Sequence, residues 1–345
     1  MGATISDVAR QAGLSPATIS KYLNHKPVSL KNREKIAEAI EQLDYQINDF
    51  ARGLRTATSL MIGLLVPGIG NIFTISLIKE MEDMLIRQNY SMILCSYDNS
   101  PDKLMEKLSF MSKKKVDGII FLSGGTVPEQ VLELMRKLQQ AGTSFVQVNG
   151  AVEGFEADAV LVDSVNSIYE SVGLLIEHGH RNIGLLSAPK ITSWNARERE
   201  EGYRRVFADY HLPVQERLLC LYGGSNNNSD AWLSDLSARG GEFLRQNPDM
   251  TALVLPGYRL TLAGLSAARA AGRTVGKDLS VIGFDCAEIN GVLQPPLTYV
   301  ALPAEKMAKY AVDLLIESLR RTMPGAPRII RVKATLVAGE SLVSV

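Results

Sequence analysis

The 345-residue chain carries 37 Lys/Arg and 37 Asp/Glu, so its net charge is zero, and 46% of its residues are hydrophobic, with a mean hydropathy of +0.03. These proportions suit two or three compact units with sizeable cores and exclude intrinsic disorder. No run of 18 apolar residues occurs, and the opening "MGATISDVARQAG" has neither a basic nor an apolar signal region, so neither a membrane partner nor secretion is expected.

Residues 4–45 predict three short helices. Thr4 or Ser6 can cap the first, "DVARQA", which stops at Gly13, a residue that tolerates the left-handed C′ position. Ser15 caps the second, with Pro16 at a position where the missing N–H costs nothing. Ser29 caps the third, "LKNREKIAEAIEQL", whose Ile36, Ala39, Ile40 and Leu43 recur at helical spacing. The following "DYQINDFARGLRTATS" lacks apolar periodicity and is expected to be a linker.

From Leu60 onward, apolar runs alternate with amphipathic stretches. "LMIGLLVP", "YSMILCSY", "VDGIIFLS", "SFVQVN", "AVLVD", "NIGLLS", "LLCLY", "TALVLP" and "LSVIGFD" are strand candidates, each separated from the next by a helical pattern or a short connection. Continuous apolar strands between helices predict parallel sheets covered on both faces. The length exceeds one comfortable core, so the fold class is α/β: three short helices and a linker, then two doubly wound lobes. Ligands of such lobes bind at the carboxyl ends of the strands, here in the cleft between them.

Charge is mildly asymmetric. Residues 1–58 hold eight basic against six acidic side chains, a surplus of two that the remainder offsets. That sign suits a nucleic-acid-binding head. Cys95, Cys220 and Cys286 are odd in number and widely spaced, which fits free buried thiols in a reducing compartment.

The second helix, "LSPATISKYLN", raises the functional question. Ile19, Tyr22 and Leu23 share one face, and Pro16, Ala17, Ser20 and Lys21 are left over. That arrangement fits a small packed helix or a DNA-reading helix with few polar side chains. A helix-turn-helix needs a small residue where the helices cross (Ala9), a residue tolerating positive φ in the turn (Gly13), and apolar positions knitting the bundle. Val8, Ala12, Leu14, Ile19 and Tyr22 supply the last.

The whole segment "TISDVARQAGLSPATISKYLNHKPVSLKNREKIAEAIEQLDYQINDFARGLRT" resembles the headpiece of the lactose/galactose repressor (LacI/GalR) family. That family's pattern runs T-I-x-D-V-A-x-x-A-G-V-S-x-x-T-V-S-x-x-L-N, then V-S-x-x-x-R, then L-x-Y-x-x-N-x-x-A-R-x-L. The resemblance implies that Pro16, Ala17 and Lys21 face base edges in the major groove, with Lys21 donating to guanine and Ala17 touching a thymine methyl. It implies backbone contacts by Thr4, Ser15, Thr18, Ser20, Asn24 and Ser29. It makes the linker a hinge helix that forms on DNA, carrying Asn48, Ala51, Arg52 and Arg55, with Leu54 as an apolar wedge in the minor groove. Two departures weaken that hinge: Ile47 replaces the usual proline, and Gly53 costs about 1 kcal/mol relative to Ala in a helix.

The remaining chain resembles the family's periplasmic-binding-protein-like effector domain through "IGLLVPGIGNIF", "LIEHGHRNIGLLS", "REREEGY", "VIGFD", "PPLTYVALP" and "LVAGES". By that resemblance the effector contacts are Asn71, Phe73, Asp98, Ser123, Arg199 and Asp285. Trp194 and Tyr258 are candidate stacking surfaces, equally suited to core or lid. The family's A-N-D triplet is Pro256-Gly257-Tyr258 here, the second Asp of its G-F-D-D is Cys286, and its D-R is Asn149-Gly150. The cleft has therefore lost polar groups a sugar uses. The effector is an unusual sugar, a sugar derivative or a non-sugar, or the protein is an effector-independent regulator; these stay open.

His178 and His180 suggest a zinc pair only by composition, since no third ligand is near and they match the family's G-H-R turn. No GxxxxGK[ST], HExxH, GxSxG or well-placed GxGxxG occurs, so neither an enzyme nor a cofactor is expected. The resulting expectation is a bacterial, cytoplasmic, nucleoid-associated repressor. It would bind double-stranded operator DNA as a homodimer and respond to a small-molecule effector. No heptad-bearing tail follows Leu342, which favours a dimer over a tetramer. Expected boundaries are headpiece 1–47, hinge 48–59 and effector domain 60–345, with one lobe at about 60–161 and 292–322 and the other at about 162–291 and 323–345.

Overall fold

The computed structural model describes residues 3–23, 27–45, 58–122, 126–187, 194–221, 230–321 and 325–345. The chain divides into two units, Met1–Ser59 and Leu60–Val345. The hinge residues Asn48, Ala51, Arg52, Leu54 and Arg55, together with Asn24 and Ser123, lie outside the described residues.

The first unit contains helices α1 (Ile5–Ala12), α2 (Pro16–Leu23) and α3 (Leu30–Gln42). Thr4 caps α1 in a reciprocal box: its hydroxyl accepts from the Asp7 amide, and Asp7 accepts from the Thr4 amide. Gly13 ends the helix at φ 64°, the left-handed geometry that its lack of Cβ permits. Ser15 accepts from the Thr18 amide at 3.3 Å, as an N-cap should. Ser29 occupies the N-cap of α3, but its hydroxyl makes no capping bond. Its carbonyl instead accepts the Asn32 and Arg33 amides, so only the backbone half of the expected cap is present. Val8, Ala9, Ala12, Ile19, Ile36 and Ala39 form the core, with Leu14, Tyr22, Leu23, Ile40 and Leu43 packed around it.

The second unit holds two six-stranded sheets. The first has the order β11-β5-β4-β3-β1-β2 and the second β12-β10-β9-β8-β6-β7. Their strands are β1 (Met61–Val66), β2 (Ser91–Ser96), β3 (Gly118–Leu122), β4 (Ser144–Val148), β5 (Asp158–Val162), β6 (Ile183–Ser187), β7 (Leu219–Leu221), β8 (Ala252–Val254), β9 (Ser280–Phe284), β10 (Thr298–Ala301), β11 (Ile329–Val332) and β12 (Thr335–Val337). All neighbours run parallel except β12, which pairs antiparallel with β10 at an edge. The central strands are buried on both faces, which is why they are continuous apolar runs.

Helices between the strands are α4 (Ile72–Arg87), α5 (Pro101–Lys114), α6 (Glu129–Gln140), α7 (Ser164–Glu177), α8 (Trp194–Asp209), α9 (Asp230–Gln246), α10 (Tyr258–Ala270), the short α11 (Ala287–Asn290) and α12 (Ala304–Arg320). One core runs through both lobes, from Leu64 and Leu77 through Val172 and Tyr203 to Leu315. Two further cores line the opposite faces, one in each lobe.

The lobe boundaries differ from expectation. The segment containing β10 belongs to the second sheet rather than the first lobe, and β11 belongs to the first sheet rather than the second lobe. The chain crosses between lobes after β5, after β10 and after β11, so the return segments interleave. The cysteines are free, but Cys95 and Cys220 are only partly buried and Cys286 alone is fully so.

Candidate functional site

In the first unit, packing decides which face of α2 is left for a partner. Ile19 is fully buried against α1 and α3, and Tyr22 and Leu23 lean on the same core. Pro16, Ala17 and Lys21 are exposed together on the remaining face. Ser15 and Thr18 share a hydroxyl–hydroxyl bond of 2.9 Å at the start of the helix. The Thr4 hydroxyl is engaged in the capping box, donating to Asp7 at 2.6 Å. These bonds hold the Asp7 carboxyl below its ordinary range.

In the second unit, the strand order reverses at β1/β3 and at β6/β8. Loops at these switch points open a crevice at the strands' carboxyl ends. On the first lobe, Asn71 follows β1 and caps α4 by accepting the Phe73 amide at 3.0 Å. Phe73 itself is 4% exposed and belongs to the core. Asp98 follows β2 at φ 49° and accepts from the Ser96 hydroxyl (2.6 Å) and the Lys103 ammonium (2.7 Å). Those two donors hold its carboxyl below the usual range, Lys103 contributing most.

On the second lobe, Arg199 from α8 and Asp285 just after β9 lie within reach of each other's charge without a direct ion pair. Burial pulls the guanidinium down to about 10 and pushes the carboxyl up to about 7. The Leu302 amide, donating to Asp285 at 3.0 Å, and the Arg199 charge oppose that rise without cancelling it. Cys286, beside Asp285, is buried with its thiol pushed up to about 11, chiefly by burial.

Trp194 opens α8, with the Arg197 guanidinium 5.4 Å over its ring and its indole N–H without a hydrogen-bond acceptor. Tyr258 opens α10 after Gly257. Of the expected effector residues, Arg199 and Asp285 influence one another's charge. Asn71 and Phe73 hold local structure, and Asp98 is occupied by Ser96 and Lys103.

Sequence reasoning missed Arg259 and Ser187. Arg259 lies 5.3 Å over the Trp232 ring, and a Cβ on Gly70, in the loop after β1, would stand 3.2 Å from its Nη1. Ser187 ends β6, and its buried hydroxyl has no partner. The position of each, the last residue of a strand or the first turn of a helix, was the available signal.

Three polar links on α8 also cross between lobes. The Asn195 amide donates to the Asn149 carbonyl at 2.7 Å, Arg197 pairs with Glu153 at 3.4 Å, and Glu198 pairs with Arg331 of β11 at 2.7 Å.

The histidines are structural. His180 is fully buried between the Thr251 and Ser280 hydroxyls, each 2.8 Å from a ring nitrogen. His178 Nδ1 sits 2.8 Å from the Leu174 carbonyl. Among the described residues no His/Cys/Asp/Glu cluster suits a metal, and no helix is long and apolar enough to cross a membrane.

Residues 4–48 match the model of bacterial regulatory proteins of the lacI family, and residues 172–342 match the periplasmic binding protein-like domain. The chain is 30% identical over 322 residues to catabolite control protein A of Priestia megaterium, covering 93% of this chain and 94% of that protein. Its fold matches the lac repressor dimer bound to operator and an anti-inducer (TM-score 0.80, 21% identity, 99% and 100% of the two chains). It also matches the regulator CelR in complex with cellobiose (TM-score 0.71, 23% identity, 98% and 99%). A lacI-type headpiece, a binding-protein-like second unit and a relative of that identity along nearly the full length have one meaning: the chain belongs to the LacI family and is a DNA-binding transcription regulator.

Proposed function

We propose that the protein is a homodimeric repressor that binds a pseudo-palindromic operator in the bacterial cytoplasm, at the nucleoid, and answers to a small molecule held in the interlobe cleft. The observation that carries this reading is the division of α2. Ile19 is buried, while Pro16, Ala17 and Lys21 stand exposed on one face beside the helix start. A helix entering a major groove needs an anchored apolar side and a free N-terminal face.

In this reading Lys21 donates to a guanine and Ala17 meets a thymine methyl. Ser15, Thr18, Ser20, Asn24 and Ser29 meet phosphates, and so does Thr4 if its hydroxyl turns from Asp7. Asn48, Ala51, Arg52 and Arg55 belong to a hinge helix that forms on DNA, and Leu54 wedges the operator's centre.

The effector lies against Arg199 and Asp285, with Asn71, Phe73, Asp98, Ser123, Trp194 and Tyr258 around it. It is a sugar or sugar derivative, the class named for the cellobiose-bound structural neighbour. Closing the cleft moves one lobe against the other and changes hinge pairing, a coupling typically worth about 1–3 kcal/mol.

Genome-wide binding-site mapping tests the proposal. Discrete palindromic sites are expected, with binding that falls steeply as salt rises. Lys21→Ala is expected to relax preference at one base pair of each half-site; equal weakening on every sequence would reduce Lys21 to a phosphate contact. Absence of discrete sites would overturn the reading.

A further inference from the structure

The first two turns of α8 carry three polar links to the other lobe. Asn195 donates to the Asn149 carbonyl at 2.7 Å, Arg197 pairs with Glu153 at 3.4 Å, and Glu198 pairs with Arg331 at 2.7 Å. Each is a direct contact between the chain's own atoms and needs no bridging group. An exposed ion pair such as Arg197–Glu153 is weak alone. Three contacts from one helix act together, provided that both ends are fixed.

Both ends are. On the first lobe, the loop 149–157 after β4 is pinned by its own buried side chains, Val152 and Phe155, the latter edge-on to Phe145 at 5.1 Å. The Gln147 side chain accepts the Val152 amide (2.6 Å) and donates to the Phe155 carbonyl (3.4 Å). Arg136 and Gln139 of α6 donate to the Gly154 and Glu156 carbonyls at 2.9 and 2.8 Å. Asn149 stands at φ 62°, a conformation asparagine tolerates, with its amide on the Val160 carbonyl and its own carbonyl turned to Asn195. On the second lobe, Tyr203, Val206 and Phe207 bury α8 in the core, and the Tyr203 hydroxyl donates to the Ile183 carbonyl of β6 at 2.7 Å. Gly202 packs so closely on α7 that an added Cβ would strike the Val165 carbonyl.

The chain crosses between the lobes after β5, β10 and β11, and short crossings of this kind let two lobes rotate as bodies. Val165 follows the first crossing and Arg331 precedes the last. The helix is thus braced against two of the crossings while it grips a fixed loop of the first lobe. We infer that the start of α8 is an interlobe latch: it holds the lobes together through this chain's own groups and thereby sets how strongly the regulator binds its operator. The latch does not depend on the effector reading above.

Pulsed electron-spin resonance on the full chain tests this. Spin labels are placed through Lys137→Cys on α6 and Arg269→Cys on α10, both exposed, in a Cys95→Ser, Cys220→Ser background. Dilution with unlabelled chain leaves one labelled protomer per assembly. One narrow distance distribution is expected with the latch residues intact. Asn195→Ala combined with Glu153→Arg, which sets two guanidinium groups against each other, is expected to add a longer component. Adding Arg197→Glu to that variant restores the charge pair in reverse and is expected to shrink the longer component, which a folding defect would not allow. On an operator fragment selected in vitro, the released variant is expected to shift affinity at least about fivefold, the low end of allosteric couplings, and the reversed pair to recover part of the shift. The direction of the shift reports which lobe arrangement binds DNA. A broad distribution with the latch intact, an unmoved distance in the released variant, or an unchanged operator affinity would each overturn the inference. None of these results touches the effector reading, which binding-site mapping and ligand contacts at Arg199 test separately.

Discussion

Arg199 and Asp285 feel each other's charge without forming an ion pair, and burial shifts each toward its neutral form, the guanidinium to about 10 and the carboxyl to about 7. Desolvation outweighs their mutual attraction, so this pair is not a net source of stability.

Asp285 makes stability depend on pH. Its native carboxyl titrates near 7 against an ordinary 3.8, so between those values the unfolded chain ionises while the native one stays neutral. Native stability is therefore whole below pH 3.8, falls as pH rises towards 7, and is level above it. Asp285→Asn lacks this term. Its thermal stability, measured without ligand, is expected to gain on wild type across that window by about 1–3 kcal/mol. A pH-independent difference would show that burial does not govern the carboxyl.

His180 acts in the opposite sense. Burial holds its imidazole below the ordinary 6.5, so the stability it contributes is present above that value and is lost as pH falls through it. His180→Gln cannot reach both Thr251 and Ser280, and is expected to cost about 1–3 kcal/mol at pH 7.5, from one buried hydroxyl left unmet. In denaturant titrations the gap between the two proteins should narrow towards pH 5. Added zinc should change neither curve.

The Glu198–Arg331 pair joins α8 of the second lobe to β11 of the first, with the Glu198 side chain 8% and Arg331 45% exposed. Glu198 Oε2 already has no partner. Arg331→Met strands the whole carboxylate and is expected to destabilise by about 1–2 kcal/mol, less than a fully buried pair because the arginine is half in water. Adding Glu198→Gln should restore most of that, as a double-mutant cycle would read. Additive losses would show that the two side chains are not coupled.

Gly13 tests the helix-turn-helix. Its φ of 64° suits glycine, and an added Cβ meets nothing within 4 Å. Gly13→Ala should therefore cost only backbone strain, about 1–2 kcal/mol. Operator retardation assays are expected to show weaker binding with unchanged sequence preference. A changed preference would mean that the turn itself reads DNA.

The headpiece was legible because its constraints are local. Thr4, Gly13 and Ser15 set helix ends within a few residues, and the apolar spacing of Val8, Ala12 and Ile19 follows from the helical repeat. The strands from β1 to β9 were equally legible as apolar runs, the central ones because burial on both faces requires it. The third cap was only half right: Ser29 stands at the correct place, but a hydroxyl's rotamer is not written in residue order. The lobe return was misassigned because β10 and β11 are four-residue strands whose sheet is chosen by pairing with Phe284 and Val162, more than a dozen residues away.

By itself, then, the sequence determined the two-part plan, the helix-turn-helix and the alternating α/β second unit, because periodicity, caps and turn residues act over a few positions. Only the tertiary structure decided which charges feel one another and how far each is buried. Arg199 and Asp285 come from separate strand–helix connections and feel each other's charge only in the folded chain. Their chemistry depends on the water excluded when those ends converge, and no local pattern records that exclusion.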